Sequence, residues 1–209
     1  LSGTANETVT KLQANTDAAT SSGSLNISYG AIDDQKASLT VGTGNVVVSG
    51  GVAGDTISVT GLNTDGQSFT GFDAYSNLLI SAGAGSQLIT ASNLGNDSID
   101  GGDGSDTLSY AGGNSADVTI ASYSTQSGGS LGQGKDQFIS IENLVGTSGS
   151  DILRSSAGST NEVTTLSSAN SGSISDAAST GSFGFSSFEQ LDLQGGDDTL
   201  VVNGSTGGV

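Results

Sequence analysis

One nonapeptide and its in-phase neighbour limit this chain more than anything else in it. Gly101-Gly102-Asp103-Gly104-Ser105-Asp106-Thr107-Leu108-Ser109 fits the pattern G-G-x-G-x-D-x-U-x, with U a large apolar residue, at every specified position. In the preceding nonapeptide, Gly95-Asn96-Asp97-Ser98-Ile99-Asp100 supplies the same G-x-D-x-U core in phase. The glycines permit a tight loop whose backbone carbonyls stay free. The Asp adds a full charge, and the x-U-x triplet makes a short strand that buries U.

Elsewhere the pattern decays by steps. Gly50-Gly51-Val52-Ala53-Gly54-Asp55-Thr56-Ile57-Ser58 departs only at Ala53. Gly44-Asn45-Val46-Val47-Val48 puts Val46 where the Asp belongs, and Gly85-Ser86-Gln87-Leu88-Ile89 puts Gln87 there, so both are expected to stack without metal. A longer period runs through the C-terminal half. Phe138-Ile139-Ser140-Ile141-Glu142-Asn143-Leu144, leading to Gly149-Ser150-Asp151-Ile152-Leu153, recurs without a gap 47 residues later. The second copy is Phe185-Ser186-Ser187-Phe188-Glu189-Gln190-Leu191, leading to Gly196-Asp197-Asp198-Thr199-Leu200. The loop at 146–154 departs from the nonapeptide in having Thr147 at the second glycine, and the loop at 193–201 lacks both leading glycines in phase.

The chain has 209 residues, of which 34 are Gly, with 33% hydrophobic and 12% charged residues; this is not the make-up of an α-helical enzyme. His and Cys are absent, which excludes histidine general bases, imidazole zinc ligands, Ser-His-Asp triads and disulfides from this chain. Without Trp there is no indole platform for a sugar, and paired carboxylates alone make a poor case for a glycosidase. Against 21 acids stand Lys11, Lys36, Lys135 and Arg154, a net charge of −17. Nucleic acid would be repelled, and the natural counter-partner is a cation. Most of the acids are Asp, whose short carboxylate on a turn suits an oxygen cage for a hard divalent ion, calcium first. No apolar run is long enough for a transmembrane helix or a signal-peptide core.

The tandem nonapeptides resemble the calcium-binding RTX (repeats-in-toxin, haemolysin-type) family, found in secreted bacterial surface-layer, adhesin and toxin proteins. The resemblance implies a parallel β-roll, Ca2+ as cofactor, and an ion shared between one loop and the loop a full turn away. With two nonapeptides to a turn, the partner loop of Asp106 is expected about 18 residues off, near Leu88 or Thr125, neither of which has an Asp in phase. Carried onto this chain, the candidate metal residues are Asp97 and Asp106 with Gly95, Gly101, Gly102 and Gly104. To these are added Asp103 through its carbonyl, Asp151 with Gly149, Asp55, and Asp198. Asp100, at a variable position, reads as an outer or solvated group. Glu142 and Glu189, each just before a buried Leu, read as hydrogen-bonding residues.

Ser24-Leu25-Asn26-Ile27-Ser28-Tyr29 and Ala116-Asp117-Val118-Thr119-Ile120 alternate as half-buried strands do, and Thr4 to Ser22 reads as a short helix or an extended arm. The expected fold class is all-β, a parallel β-roll or irregular β-solenoid with flanking antiparallel strands. Residues 1–37 form an N-terminal arm or strand-rich segment. Residues 38–137 form a solenoid with its best-defined part at 92–110, and residues 138–209 form two related units continuing the stack. The expected function is a secreted, calcium-binding structural protein at the cell surface, a non-enzymatic subunit of a surface layer or filament that assembles with itself and contacts cell-surface polysaccharide. The alternative is a calcium-dependent folding and export module of a larger adhesin, toxin or hydrolase. Millimolar calcium outside the cell would neutralise acidic loops that otherwise repel one another.

Overall fold

A computed structural model describes residues 8–14, 24–29, 36–41, 45–50, 56–63, 65–72, 77–91, 95–130, 135–158, 160–178 and 181–203. Among them there is no helix. The strands in chain order are β1 (Thr8–Ala14), β2 (Ser24–Tyr29), β3 (Lys36–Val41), β4 (Asn45–Gly50), β5 (Thr56–Leu62), β6 (Ser68–Phe72) and β7 (Asn77–Ala82). Then come β8 (Leu88–Thr90), β9 (Ser98–Asp100), β10 (Thr107–Ser109), β11 (Asp117–Ser122), β12 (Ser127–Ser130), β13 (Gln137–Ile139) and β14 (Asn143–Val145). The last six are β15 (Ile152–Arg154), β16 (Glu162–Ser168), β17 (Ser171–Asp176), β18 (Ser182–Ser186), β19 (Gln190–Asp192) and β20 (Thr199–Val202). The segment expected as a helix or an arm contains a strand, β1.

The described residues are all-β, in two mixed ten-stranded sheets. One has the order β1-β3-β5-β7-β9-β13-β12-β11-β15-β19, the other β2-β4-β6-β8-β10-β14-β18-β17-β16-β20. From β1 to β10 successive strands alternate between the sheets, each pairing in parallel with the strand two places before it. Around the complete nonapeptides the offset between paired residues is 19: Ile80 lies beside Ile99, and Ile89 beside Leu108. This is one residue longer than two nonapeptides.

The register explains why one large apolar residue per short strand suffices. In one sheet Val59, Ile80, Ile99 and Phe138 fall in a row; in the other Phe69, Ile89, Leu108, Leu144 and Phe185 do. All nine are buried in one core to which both sheets contribute. Each such side chain contributes roughly 1.5–3 kcal/mol by leaving water. Flanking positions point outward, as at Leu88, which is exposed beside buried Ile89.

After β10 the alternation is interrupted by antiparallel strands. β11, β12 and β13 lie side by side in one sheet, and β16, β17 and β18 in the other. The 47-residue offset relates two five-strand runs, β11–β15 and β16–β20, with Phe138 and Phe185 in the third strand of each. In each run the first three strands share a sheet, the fourth crosses over and the fifth returns. The second run therefore starts on the sheet opposite to the first. Phe183 meets Tyr123 and Phe138 edge-on at centroid distances of 6.0 and 6.3 Å, joining the two runs.

Candidate functional site: a carboxylate ladder and the loop before β10

An acid just before a short strand stands outside the regular ladder, and its side chain can accept from the amide beside it on the neighbouring strand. Seven bonds of one kind follow among the described residues. Leu78 N–H donates to Asp97 Oδ1 and Asp97 N–H to Asp136 Oδ1. Gln87 N–H donates to Asp106 Oδ1 and Asp106 N–H to Glu142 Oε2. Ala116 N–H donates to Asp151 Oδ1, Asp151 N–H to Glu189 Oε2, and Glu162 N–H to Asp198 Oδ1. In every case the acid reaches back to the equivalent residue on the neighbouring parallel strand. Asparagines one position earlier run the other way: Asn77 Oδ1 accepts from Asn96 N–H, and Asn96 Oδ1 from Lys135 N–H.

Asp97, Asp106, Asp151 and Asp198 thus occupy one structural position repeated across different strands. The expected partner loop of Asp106 contains Gln87, 19 residues away, and what it supplies is a backbone amide. Glu142 and Glu189 are hydrogen-bonding members of the same ladder. Asp136 belongs to it as well, and its signal was present: Gly134-Lys135-Asp136-Gln137-Phe138 carries the G-x-D-x-U core. Asp55 lies outside the described residues.

Two buried acids of the ladder, Asp136 and Asp106 in the loop before β10, each keep an Oδ2 without a hydrogen-bond partner. Asp106 is fully buried. Burial pushes its carboxyl up to about 6, against the pull of the Gln87 amide, and the charges of Glu142 and Asp100 push the same way. Asp106 Oδ2 and the Ser140 carbonyl both pack closely on Gly101, where a Cβ would run into them. Gly102 and Gly104 have φ of +84° and +144° and lie on the carbonyls of Gly83 and Gly85. Asp103 is exposed and bridges to Ala84, while Asp100 Oδ1 accepts from Gly102 N–H at 3.1 Å. A buried carboxylate oxygen and a carbonyl oxygen packed on one glycine, with two further acids near, form an oxygen-only donor set that suits a hard cation.

Asp151 shows what completes such a site without an ion. A Cβ on Gly146 would meet Asp151 Oδ2 and the Ser187 carbonyl, the same arrangement as at Gly101. Here Thr147 stands where the nonapeptide has its second glycine, and both its N–H and its hydroxyl donate to Asp151. The hydroxyl also accepts from Gly149 N–H at 2.9 Å, so the loop closes on itself. Gly95 is buried beside the Asp97 position. Asp198 is exposed, at the last strand of its sheet. No group of three or more acids gathers tightly enough to hold an ion by carboxylates alone among the described residues. Backbone carbonyls would have to take part. No helix among them is long and apolar enough to cross a membrane. Compared with family models, characterised proteins and solved structures, the chain matches none.

Proposed function

We propose that this protein is a secreted, calcium-stabilised structural protein that folds as a parallel β-roll and joins copies of itself into a surface layer or filament. The observation that carries this reading is Asp106: a fully buried carboxylate with one oxygen committed to a backbone amide and the other unpartnered. A charge so placed is costly unless a counter-charge meets it. Calcium would be held by oxygens of Asp106, the Ser140 carbonyl and the Gly101–Gly104 loop, and would supply the positive charge. The resemblance of the two nonapeptides to RTX repeats supports the choice of ion, and the alternation of strands from β1 to β10 supports the roll. Asp97 is the next binding position. Asp151 is met internally by Thr147 and ranks below them. Secretion, the absence of an enzymatic role and contact with surface polysaccharide are parts of the same reading.

Self-assembly is supported by the far edge of the sheets. Among the described residues β19 and β20 each pair on one side alone. Leu200 holds the apolar position of its loop yet is 56% exposed, beside Val202 at 60%. A further pair of strands laid on this edge would cover both, from a second copy or from more chain. The latter is the alternative function, a calcium-folded module of a larger protein.

A calcium titration from chelator to about 10 mM, followed by circular dichroism and light scattering, tests the proposal and divides its two forms. β signal and particle mass rising together is the expected result. A rise in β signal at constant monomer mass assigns the module instead, and no response in either removes calcium.

A further inference from the structure

We propose that Glu162 and Asp198 form a separate divalent-cation site beside a hydroxyl-lined cavity. Neither the nonapeptide pattern nor the 47-residue period marks Glu162, which opens β16 with no glycine loop of the repeat type before it. Its side chain is fully buried. Tyr123 hydroxyl donates to Oε1 at 3.4 Å, while Oε2 has no hydrogen-bond partner. The main-chain N–H of Glu162 donates to Asp198 Oδ1 at 3.0 Å, which fixes the Asp198 carboxylate beside it. Two ionised carboxylates supply no donor between them. Among the described residues no Lys or Arg pairs with either.

The loops that precede the two acids also pack on each other. Gly196, at φ +144°, has the Thr160 carbonyl where a Cβ would stand, and Gly195 similarly meets the Gly158 carbonyl. Asn161 Oδ1 accepts from Asp197 N–H at 2.9 Å and ties the two loops together. Next to them is a cavity of about 470 Å3 lined by Ser122, Tyr123, Ser124, Ser156, Thr160 and Asp176. Tyr123 is thus both cavity wall and partner of Glu162, and Asp176 is the register partner of Glu162 across β16 and β17. Hard divalent ions take oxygen ligands and keep water, and a polar cavity beside two carboxylates provides for both. The buried Oε2 then gains the counter-charge that no side chain gives it.

Tyr123 also supplies the readout, since a terbium ion bound at Glu162 would be excited through the tyrosine ring. The experiment measures tyrosine-sensitised terbium emission and calcium stoichiometry by equilibrium dialysis on the full chain, with circular dichroism as the folding control. Glu162→Gln is expected to bind one ion fewer per chain and lose most of the sensitised emission at unchanged β signal. Tyr123→Phe is expected to lose emission while keeping the stoichiometry. Asp198→Asn, at an exposed position, carries the test if Glu162→Gln does not fold. Asp106→Asn separates this site from the one before β10, because it should remove a different ion and leave the Tyr123-dependent emission in place. Wild-type stoichiometry and emission in folded Glu162→Gln or Asp198→Asn would overturn the proposal and leave the pair holding a proton alone.

Discussion

Asp106 and Asp151 are the same residue in the same position, and one neighbour separates their behaviour. Thr147 gives Asp151 a hydroxyl; Gly102, at φ +84° with the Gly83 carbonyl against it, cannot be exchanged for a residue that would do so for Asp106. Two predictions follow from this difference. Asp106→Asn keeps an acceptor for Gln87 N–H and removes the buried charge, so the calcium-free protein should be as stable as wild type or more so, while the calcium-induced rise in melting temperature shrinks. Thr147→Gly should cost about 1–3 kcal/mol without calcium, by leaving a buried carboxylate short of its donor. Urea denaturation with and without the ion checks both, and the second variant should gain a calcium response. Much of this site was legible in the sequence, since the phase of the nonapeptide put Asp97, Asp106, Asp151 and Asp198 in one class. What could not be read was which amide each carboxylate meets, because that depends on contacts up to 39 residues away, as between Asp97 and Asp136.

At the scale of elements, the glycine-rich strand β12 is the part least visible beforehand. Ser127-Gly128-Gly129-Ser130 has the composition of a turn, and glycine weakens a strand interior. It pairs as a strand because its neighbours leave no room for anything larger. A Cβ on Gly128 would meet the Thr119 carbonyl and the Phe138 ring, and one on Gly129 the Asp136 carbonyl. Gly172 in β17 stands against the Thr165 carbonyl in the same way. Gly128→Ala should therefore destabilise by about 1–3 kcal/mol despite its better propensity, as overpacking does. Thermal melting against wild type measures it, with loss of the β11–β12–β13 amide protection in hydrogen exchange as the local signature. By contrast the strands centred on Ile99, Leu108 and Leu153 followed directly from the x-U-x triplets, since each buries its central apolar residue almost completely. Arg154 adds a lateral tie, bonding Asp117 through Nε at 2.9 Å and Asp192 through Nη1 at 2.6 Å across β11, β15 and β19.

For the whole molecule, a charge of −17 and several carboxyls buried without counter-charge predict an inverted response to acid. Asp106 and Asp136 are pushed by burial from 3.8 up to about 6 in the folded protein, and Glu162 from 4.5 up to about 7. Groups raised on folding bind protons more readily folded than unfolded. Their stabilisation is complete below the unfolded value and is lost as pH rises through the folded one. In chelator the melting temperature should consequently rise as pH falls from about 7.5 to about 4.5, opposite to ordinary acid denaturation, and saturating calcium should flatten the slope. Assembly has its own prediction: Leu200→Asp, on the exposed edge, should change monomer stability by no more than about 0.5 kcal/mol while holding the particle mass at monomer in calcium. The two five-strand runs carry a further consequence. Because the chain crosses between the sheets three times from the start of one run to the start of the next, one run exchanges the sheets and only a pair restores the original sidedness. Excising a single 47-residue run would transfer everything after it to the other face, so gain or loss of length without inversion has to proceed two runs at a time.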